Sequence, residues 1–194
     1  MSLRSTLALT SAVAALACAP LAQAEPTMYT TDPDHTFATF EISHFGASII
    51  RGRFDKVQGS VQLDRKARTG RVDVVVDVNS LSVGVPSFEK HVRGNEILDA
   101  GQHPTARFVG TQFTFDGDKV TAVAGELTLK GKTQPVTFKA NQFSCYDSPI
   151  LKTEVCGGDF EATIDRTAFG VDYMVSMGFT KQVRIVAQIE AAKR

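Results

Sequence analysis

The sequence predicts an all-β protein, a single antiparallel barrel or sandwich of about eight strands with one short helical insertion. Apolar and polar side chains alternate along most of the chain, which is typical of half-buried strands. Residues 71–79 and 183–190 show this most clearly, because small apolar side chains occupy one face and polar ones the other. No internal repeat or linker interrupts the pattern. The chain is therefore predicted to form one β domain.

The first predicted strand lies in "DPDHTFATFEISHFG", residues 32–46. Side chains of a strand point alternately to its two faces, so Phe40, Ile42 and His44 share one face. His35 and Thr39 belong to the opposite face. We predict that the Phe40 face points into the protein, and that His35 makes structural hydrogen bonds where this strand meets its neighbour.

Further strands follow in order, separated by turn-forming residues. Alternation continues near residues 57–63, 71–79, 113–115, 127–129, 136–138, 160–164 and 183–190, and turn signals occupy residues 64–70, 116–118 and 131–132. The segment "PSFEKHVRGNEILDAGQHP" breaks this pattern. Ser87 is predicted to cap a helix that ends near Gly94, and Asn95 to cap a second one that Gly101 stops.

The N-terminus has the pattern of a secretory signal peptide. Arg4 precedes an apolar run of roughly ten residues, and an A-x-A site ends at Ala24. Cys18 raises the alternative of a lipoprotein, but Ala15 and Leu16 are in the wrong order for the usual lipidation box. We predict a signal peptide over residues 1–24, a single domain over residues 25–194, and no membrane span after the signal.

The charge of the mature chain excludes some partners. Residues 25–194 number 170 and carry 20 Lys+Arg and 21 Asp+Glu, a formal net charge of −1. Such a balance does not favour nucleic acid or an anionic membrane surface. The oligomeric state stays open, a homodimer included.

Two cysteines remain after export. Cys145 and Cys156 flank "YDSPILKTEV", which contains a Ser-Pro turn signal. In an oxidising compartment such a pair is predicted to form a disulfide, with two unpaired thiols as the alternative. Neither cysteine has the C-x-x-C spacing typical of redox catalysis or zinc binding.

The sequence contains only incomplete matches to known catalytic motifs. Gly131-Lys132-Thr133 lacks the upstream glycine of a phosphate-binding loop, and Met174 occupies the position where a nucleophile elbow needs glycine. The chain's four histidines are His35, His44, His91 and His103, and no pair has the close spacing that prepares a zinc site. The sequence predicts no catalytic residue, metal site or cofactor.

Alternation alone does not distinguish a hollow barrel from a packed one. Small side chains on two strand faces fit an apolar lumen, because a barrel of about eight strands can hold one small ligand. A packed core would show much the same pattern.

Several segments, in this order, resemble a known family. They are "DPDHTFATFEISHFG", "RGRFDKVQGSVQLD", "EKHVRGNEILDAGQHPTARF", "GELTLKGKTQPV" and "DRTAFGV". Together they resemble the YceI-like family of bacterial exported, polyisoprenoid-binding proteins. The resemblance implies a lipocalin-like antiparallel β-barrel, a periplasmic location, and an isoprenoid or other long-chain lipid in the lumen.

The resemblance and the strand faces together predict the binding residues. The predicted lipid contacts are Phe40, Ile42, His44, Phe54, Phe108, Leu127, Leu129, Phe138 and Phe169. His44 is expected to close one end of the lumen as a polar contact. The chain departs from the family pattern at Thr36, Phe88, His103 and Ala168, so the resemblance does not specify the lipid head group.

Three classes of function follow. The first is a periplasmic binding or carrier protein for an isoprenoid-type lipid. The second is a stress-related interaction protein with a packed barrel. The third, less favoured, is a metal-dependent enzyme.

Overall fold

The structure is a computed structural model that describes residues 26–194, and these residues form eleven strands and one α-helix. The predicted signal peptide and Cys18 lie outside the described residues. The strands are β1 (Thr27–Thr31), β2 (Phe37–His44), β3 (Ser48–Phe54), β4 (Val57–Asp64), β5 (Thr69–Asp77), β6 (Leu81–Ser82), β7 (Thr105–Asp116), β8 (Lys119–Leu129), β9 (Lys132–Asp147), β10 (Glu154–Asp165) and β11 (Gln182–Lys193), and α1 is Pro86–Arg93.

Eight of these strands close into an antiparallel barrel. The cyclic order is β1-β4-β5-β7-β8-β9-β10-β11, and pairing of β1 with β11 closes it. Each of these eight strands therefore has a hydrogen-bonded neighbour on both sides. The predicted all-β barrel with a short helical insertion is therefore confirmed.

The remaining strands form a flap beside the barrel, made of β2, β3 and β6. The last residues of β11 pair with β1, whereas residues 184–188 of β11 pair with β2. β2 continues into a hairpin with β3, and β3 pairs with the short β6. One long strand thus supports both the barrel wall and the flap.

The helical insertion contains one helix, not two. Pro86 is the first residue of α1, so Val85 holds the N-cap position and Ser87 lies within the helix, contrary to the prediction. Asn95 does not cap a second helix either. Residues 95–103 form turns, in which the amides of Leu98 and Ala100 donate to carbonyls at the end of α1.

The connections divide the barrel into two ends. The hairpin end carries the turns at residues 65–68, 117–118 and 148–153. The loop end carries residues 45–47, the insertion 78–104, the turn 130–131 and the segment 166–181. A second apolar cluster covers the loop end with residues of the insertion, Val78, Leu81, Val92, Leu98 and Ala100. Within residues 26–194, no helix has the length and apolar character needed to cross a membrane.

Candidate functional site

The barrel encloses an apolar cavity of about 270 Å³. Its lining includes side chains from every strand except β6, most of them aliphatic or phenylalanine. The cavity-facing residues of β5 and β11 leave this space open because none of them has a long side chain; they are Val72, Val74, Val76, Val183, Ile185, Ala187, Ile189 and Ala191. The barrel is therefore hollow rather than fully packed.

Seven of the nine predicted contact residues line this cavity. They are Phe40, Ile42, Phe54, Phe108, Leu127, Leu129 and Phe138. Their positions match the predicted strand faces, since inward residues on each strand are separated by two. Whether they contact a lipid stays a prediction.

The other two predicted contacts lie elsewhere. His44 is the last residue of β2 and is exposed; its ring meets Phe45 and the cavity-lining Phe179 at centroid distances of 5.2 and 5.7 Å. Phe169 is 2% exposed and packs in the main core, in a 3-10 turn beyond the end of β10. Neither residue is in the cavity lining, because each lies past the part of its strand that faces the lumen.

Two residues of the first strand region, His35 and Thr39, are predicted to lie on the face opposite Phe40. His35 precedes β2 in a turn, where its Nδ1 lies 2.8 Å from Asp32 Oδ2 and its carbonyl accepts a bond from Gln188. That position agrees with the predicted structural role. Thr39 is the cross-strand partner of Val186 and donates to the Val186 carbonyl at 3.3 Å, on the face opposite Phe40, although it also contributes atoms to the cavity lining.

A polar cluster lies at the hairpin end of the cavity. Tyr29 lines the cavity and is 2% exposed, and its hydroxyl donates to Glu154 at 2.6 Å. Arg65 binds the other oxygen of Glu154 at 2.6 Å. Burial, reinforced by the hydrogen bond to the Glu154 carboxylate, raises the pKa of Tyr29 to about 12. The phenol therefore stays neutral at physiological pH.

The predicted disulfide is present beside this cluster. Cys145 of β9 and Cys156 of β10 are directly opposite in the strand register and form a disulfide bond. Cys156 lines the cavity. The bridge ties the two strands together below the loop at residues 148–153.

Arg166 is a cavity residue that strand alternation does not predict. It is 4% exposed, lies directly after β10 at the loop end, and belongs to the lining. Its Nε, Nη1 and Nη2 donate to the carbonyls of Thr180, Val171 and Tyr173 at 2.8, 2.9 and 2.9 Å. Burial lowers the pKa of the guanidinium. Arg166 belongs to the segment "DRTAFGV" that resembles the family. Strand alternation does not predict the direction of its side chain, because the residue lies in a turn after the strand.

Among the described residues, one cluster has side chains of metal-ligating type, but its two cysteine sulfurs are bonded to each other. Cys145, Glu154 and Cys156 lie close together, but both sulfurs belong to the disulfide and Glu154 binds Tyr29 and Arg65. The histidines do not join any such cluster in residues 26–194.

Comparison with family models shows which protein family the chain belongs to. The family model of the YceI-like domain matches residues 29–191, which is nearly the whole described chain. The chain belongs to the YceI-like family. Among curated relatives, a UPF0312 protein of Pseudomonas paraeruginosa is 30% identical over 193 residues, covering 99% of this chain and 100% of its own length. A UPF0312 protein of Vibrio campbellii is 32% identical over 163 residues, covering 82% and 83%.

Two solved structures share the fold. BcnA of Burkholderia cenocepacia aligns with a TM-score of 0.65 at 24% identity, over 79% of this chain and 95% of its own. A polyisoprenoid binding domain from Saccharophagus degradans, implicated in plant cell wall breakdown, aligns with a TM-score of 0.59 at 12% identity, over 86% and 98%. At these identities the likeness concerns the fold alone.

Proposed function

We propose that this protein is a periplasmic binding or carrier protein that holds a long-chain isoprenoid-type lipid in its barrel lumen. The observation that carries the proposal is the apolar cavity of about 270 Å³, lined from ten of the eleven described strands. Membership of the YceI-like family and the fold shared with a polyisoprenoid binding domain support it.

The energy of chain burial is comparable with the cost of binding such a ligand. Burial of a methylene contributes about 0.8 kcal/mol, so a chain of roughly 18 carbons gains about 14 kcal/mol. Association costs about 4–15 kcal/mol in lost freedom and desolvation. The tail can therefore supply much of the affinity without a specific head-group contact, in proportion to the length of chain that is buried.

The two alternative functions explain the cavity less well. A stress-related interaction protein with a packed barrel does not account for a hollow apolar lumen, because a cavity is destabilising when its walls lose packing contacts. A metal-dependent enzyme needs free ligands, and the cysteines of the one candidate cluster among the described residues are joined to each other. A binding protein accounts for both features.

Lipid analysis of natively purified protein tests the proposal. Protein isolated from its source without detergent should yield a long-chain lipid in near-stoichiometric amount on extraction and mass spectrometry. After the lipid is stripped, a fluorescent prenyl probe should bind saturably to the folded protein. Absence of saturable binding by the stripped parent, with its circular dichroism intact, would exclude the carrier function.

Export to the periplasm has its own test. Mature protein recovered from the source should begin at Glu25, and Cys145 and Cys156 should resist thiol labelling until they are reduced. A mature protein that retains residues 1–24, or one that is fully labelled without reductant, would contradict the proposed location.

A further inference from the structure

We propose that Arg166 binds an anionic head group, a phosphate or a carboxylate, of the ligand held in the cavity. The ligand would then lie with its head at the loop end of the barrel and its tail toward Tyr29 at the hairpin end. This inference rests on the proposed function, because it assigns the polar part of the same ligand.

The first observation is that a permanent cation is buried without an anion in contact with it. Arg166 is 4% exposed, and among the described residues no carboxylate oxygen lies within 4.0 Å of its guanidinium. Arginine is almost never fully buried unless it is paired, since an uncompensated buried charge is costly. The acids Asp165 and Asp172 act on the guanidinium only at longer range. Asp165 uses Oδ1 to accept bonds from the amide and hydroxyl of Thr167.

The second observation is that hydrogen-bonding capacity remains on this cation. A guanidinium has five N–H groups, and the carbonyls of Val171, Tyr173 and Thr180 account for three of them. These carbonyls fix the plane of the guanidinium and carry only partial charge. Two N–H groups on Nη1 and Nη2 are left for a further acceptor, and an anion with two oxygens matches that arrangement.

The third observation is the position of the side chain. Arg166 lies in the cavity lining together with Tyr173 and Phe179, and its guanidinium carbon is 5.1 Å from the centroid of the Phe179 ring. Beyond these residues the lining is overwhelmingly apolar, with Leu129 and Ile185 among its members. A cation at one end of an apolar lumen is complementary to an amphiphile with an anionic head.

Arg184 is a useful comparison, because its guanidinium is paired with carboxylates of the protein. It belongs to β11 near the same end of the barrel, but it pairs with Glu41 and Glu161 on the outer surface. Other arginines that likewise pair with a carboxylate are Arg51, Arg53 and Arg65. Arg166 differs from them because its protein partners are neutral carbonyls.

The test compares two ligands that differ only in their heads. Stripped parent protein is titrated with geranylgeraniol and with geranylgeranyl monophosphate, with folding followed by circular dichroism. The phosphate should bind about tenfold or more tightly, as expected for charge-assisted hydrogen bonds at a buried site. Equal affinity for the two would overturn the inference and leave the carrier function standing, whereas failure of both to bind would overturn the carrier function itself.

Variants identify the group responsible. Arg166→Gln should lose the preference for the phosphate over the alcohol, because the amide can still donate to a loop carbonyl but carries no charge. The matched control Arg184→Gln should keep the parent's preference. A phosphate preference that survives in Arg166→Gln would refute the assignment.

A measurement on the parent covers the case in which Arg166→Gln does not fold. The second ionisation of a phosphate monoester has a pKa of about 6 in water. Contact with the guanidinium should lower that pKa for the bound ligand, and a titration followed by ³¹P NMR measures it directly. An unchanged or raised pKa of the bound phosphate would show that its head lies away from Arg166.

Discussion

At the scale of single residues, the shape of the cavity depends on small side chains as much as on large ones. Gly52 of β3 is the cross-strand partner of Phe40 in β2. A methyl group at Gly52 would lie 2.4 Å from Phe40 Cε1 and 2.8 Å from Val83 Cγ1. The absence of a side chain at this position is what allows the Phe40 ring to lie over the strand and form part of the cavity wall.

Gly52→Ala is therefore expected to destabilise the protein. The added methyl must displace the Phe40 ring, and overpacking of this kind costs about 1–3 kcal/mol in the free energy of unfolding. Urea denaturation measures the change. Gly101→Ala is the matched control, because a methyl group at Gly101 would have no neighbouring atom within 4 Å, and its unfolding midpoint should stay near that of the parent. Equal effects of the two changes would contradict the proposed contact.

Because of Tyr29, the free energy of unfolding is predicted to depend on pH in the alkaline range. Its pKa is raised from 10.0 to about 12, mainly by burial and then by the bond to Glu154. The folded state thus holds the proton more tightly than the unfolded state. This contribution is complete below pH 10 and is lost as the pH rises toward 12, by up to about 2 kcal/mol.

Stability measured between about pH 9 and 11.5 checks this expectation. The parent should lose stability more steeply with pH than Tyr29→Phe, although the variant starts lower because Glu154 loses its hydrogen-bond donor. Tyrosinate absorbance should also show one phenol that ionises late. Parallel pH profiles for the parent and the variant would mean that Tyr29 titrates normally.

At the scale of elements, the long strand β11 organises the molecule. Its inward residues line the cavity, while its outward Arg184 joins the neighbouring strands through Glu41 of β2 and Glu161 of β10. The bond from Arg51 to Glu41 extends these pairs to β3. Such surface pairs contribute little individually, typically below about 1 kcal/mol. Their position across four adjacent strands nevertheless favours one register between the barrel and the flap.

The disulfide between β9 and β10 makes a testable contribution at this scale. It closes a loop with a sequence separation of 11 residues. In the chain-entropy model such a bond stabilises the folded state by about 3 kcal/mol. Replacement of both Cys145 and Cys156 by serine should lower the free energy of unfolding by about 2–3 kcal/mol, measured with urea.

Addition of reductant provides the control for this prediction. Reductant should shift the unfolding midpoint of the parent toward that of the double variant and leave the double variant unchanged. Prenyl-probe binding should persist in the variant, because the rest of the lining is intact. A loss of binding with the fold retained would instead show that the bridge shapes the hairpin end of the cavity.

At the scale of the whole molecule, backbone pairing closes the barrel. The barrel is hollow because small and large side chains are mixed on its inner face. Ala187 of β11 lies between Phe160 of β10 and Ala38 of β2 in the strand register. All three residues line the cavity. The small side chains of Ala38 and Ala187 leave space that a larger residue would occupy.

Occlusion of this space should abolish binding without removing the fold. Ala187→Phe places a ring in the lumen and should weaken binding of a fluorescent prenyl probe by more than about tenfold. Val186→Phe is the control, because residue 186 points to the outer face and is absent from the lining, so binding should be unchanged. Ala38→Phe repeats the test from the neighbouring strand. Full binding by both alanine variants would mean that the ligand lies elsewhere.

The sequence by itself determined the class of fold, the disulfide pair and most of the cavity wall. Alternation with a period of two is a local property, so the inward faces of β2, β8 and β9 could be assigned from single segments, and Phe40, Leu127 and Phe138 line the cavity as predicted. The two cysteines of residues 25–194 likewise offer one intramolecular pairing. These inferences need no knowledge of how the strands are arranged.

Only the tertiary structure decided what depends on residues far apart in the chain. The closing pair β1–β11, the branching of β11 toward β2 and the hollow lumen all result from contacts between strands distant in sequence. The same alternation would also fit a packed core. Alternation also predicts the direction of a side chain only within a strand, not beyond its end. His44 and Phe169 therefore lie outside the cavity lining, and Arg166 enters it from a turn. Its burial depends on carbonyls from residues 171–180, which local sequence patterns do not bring together.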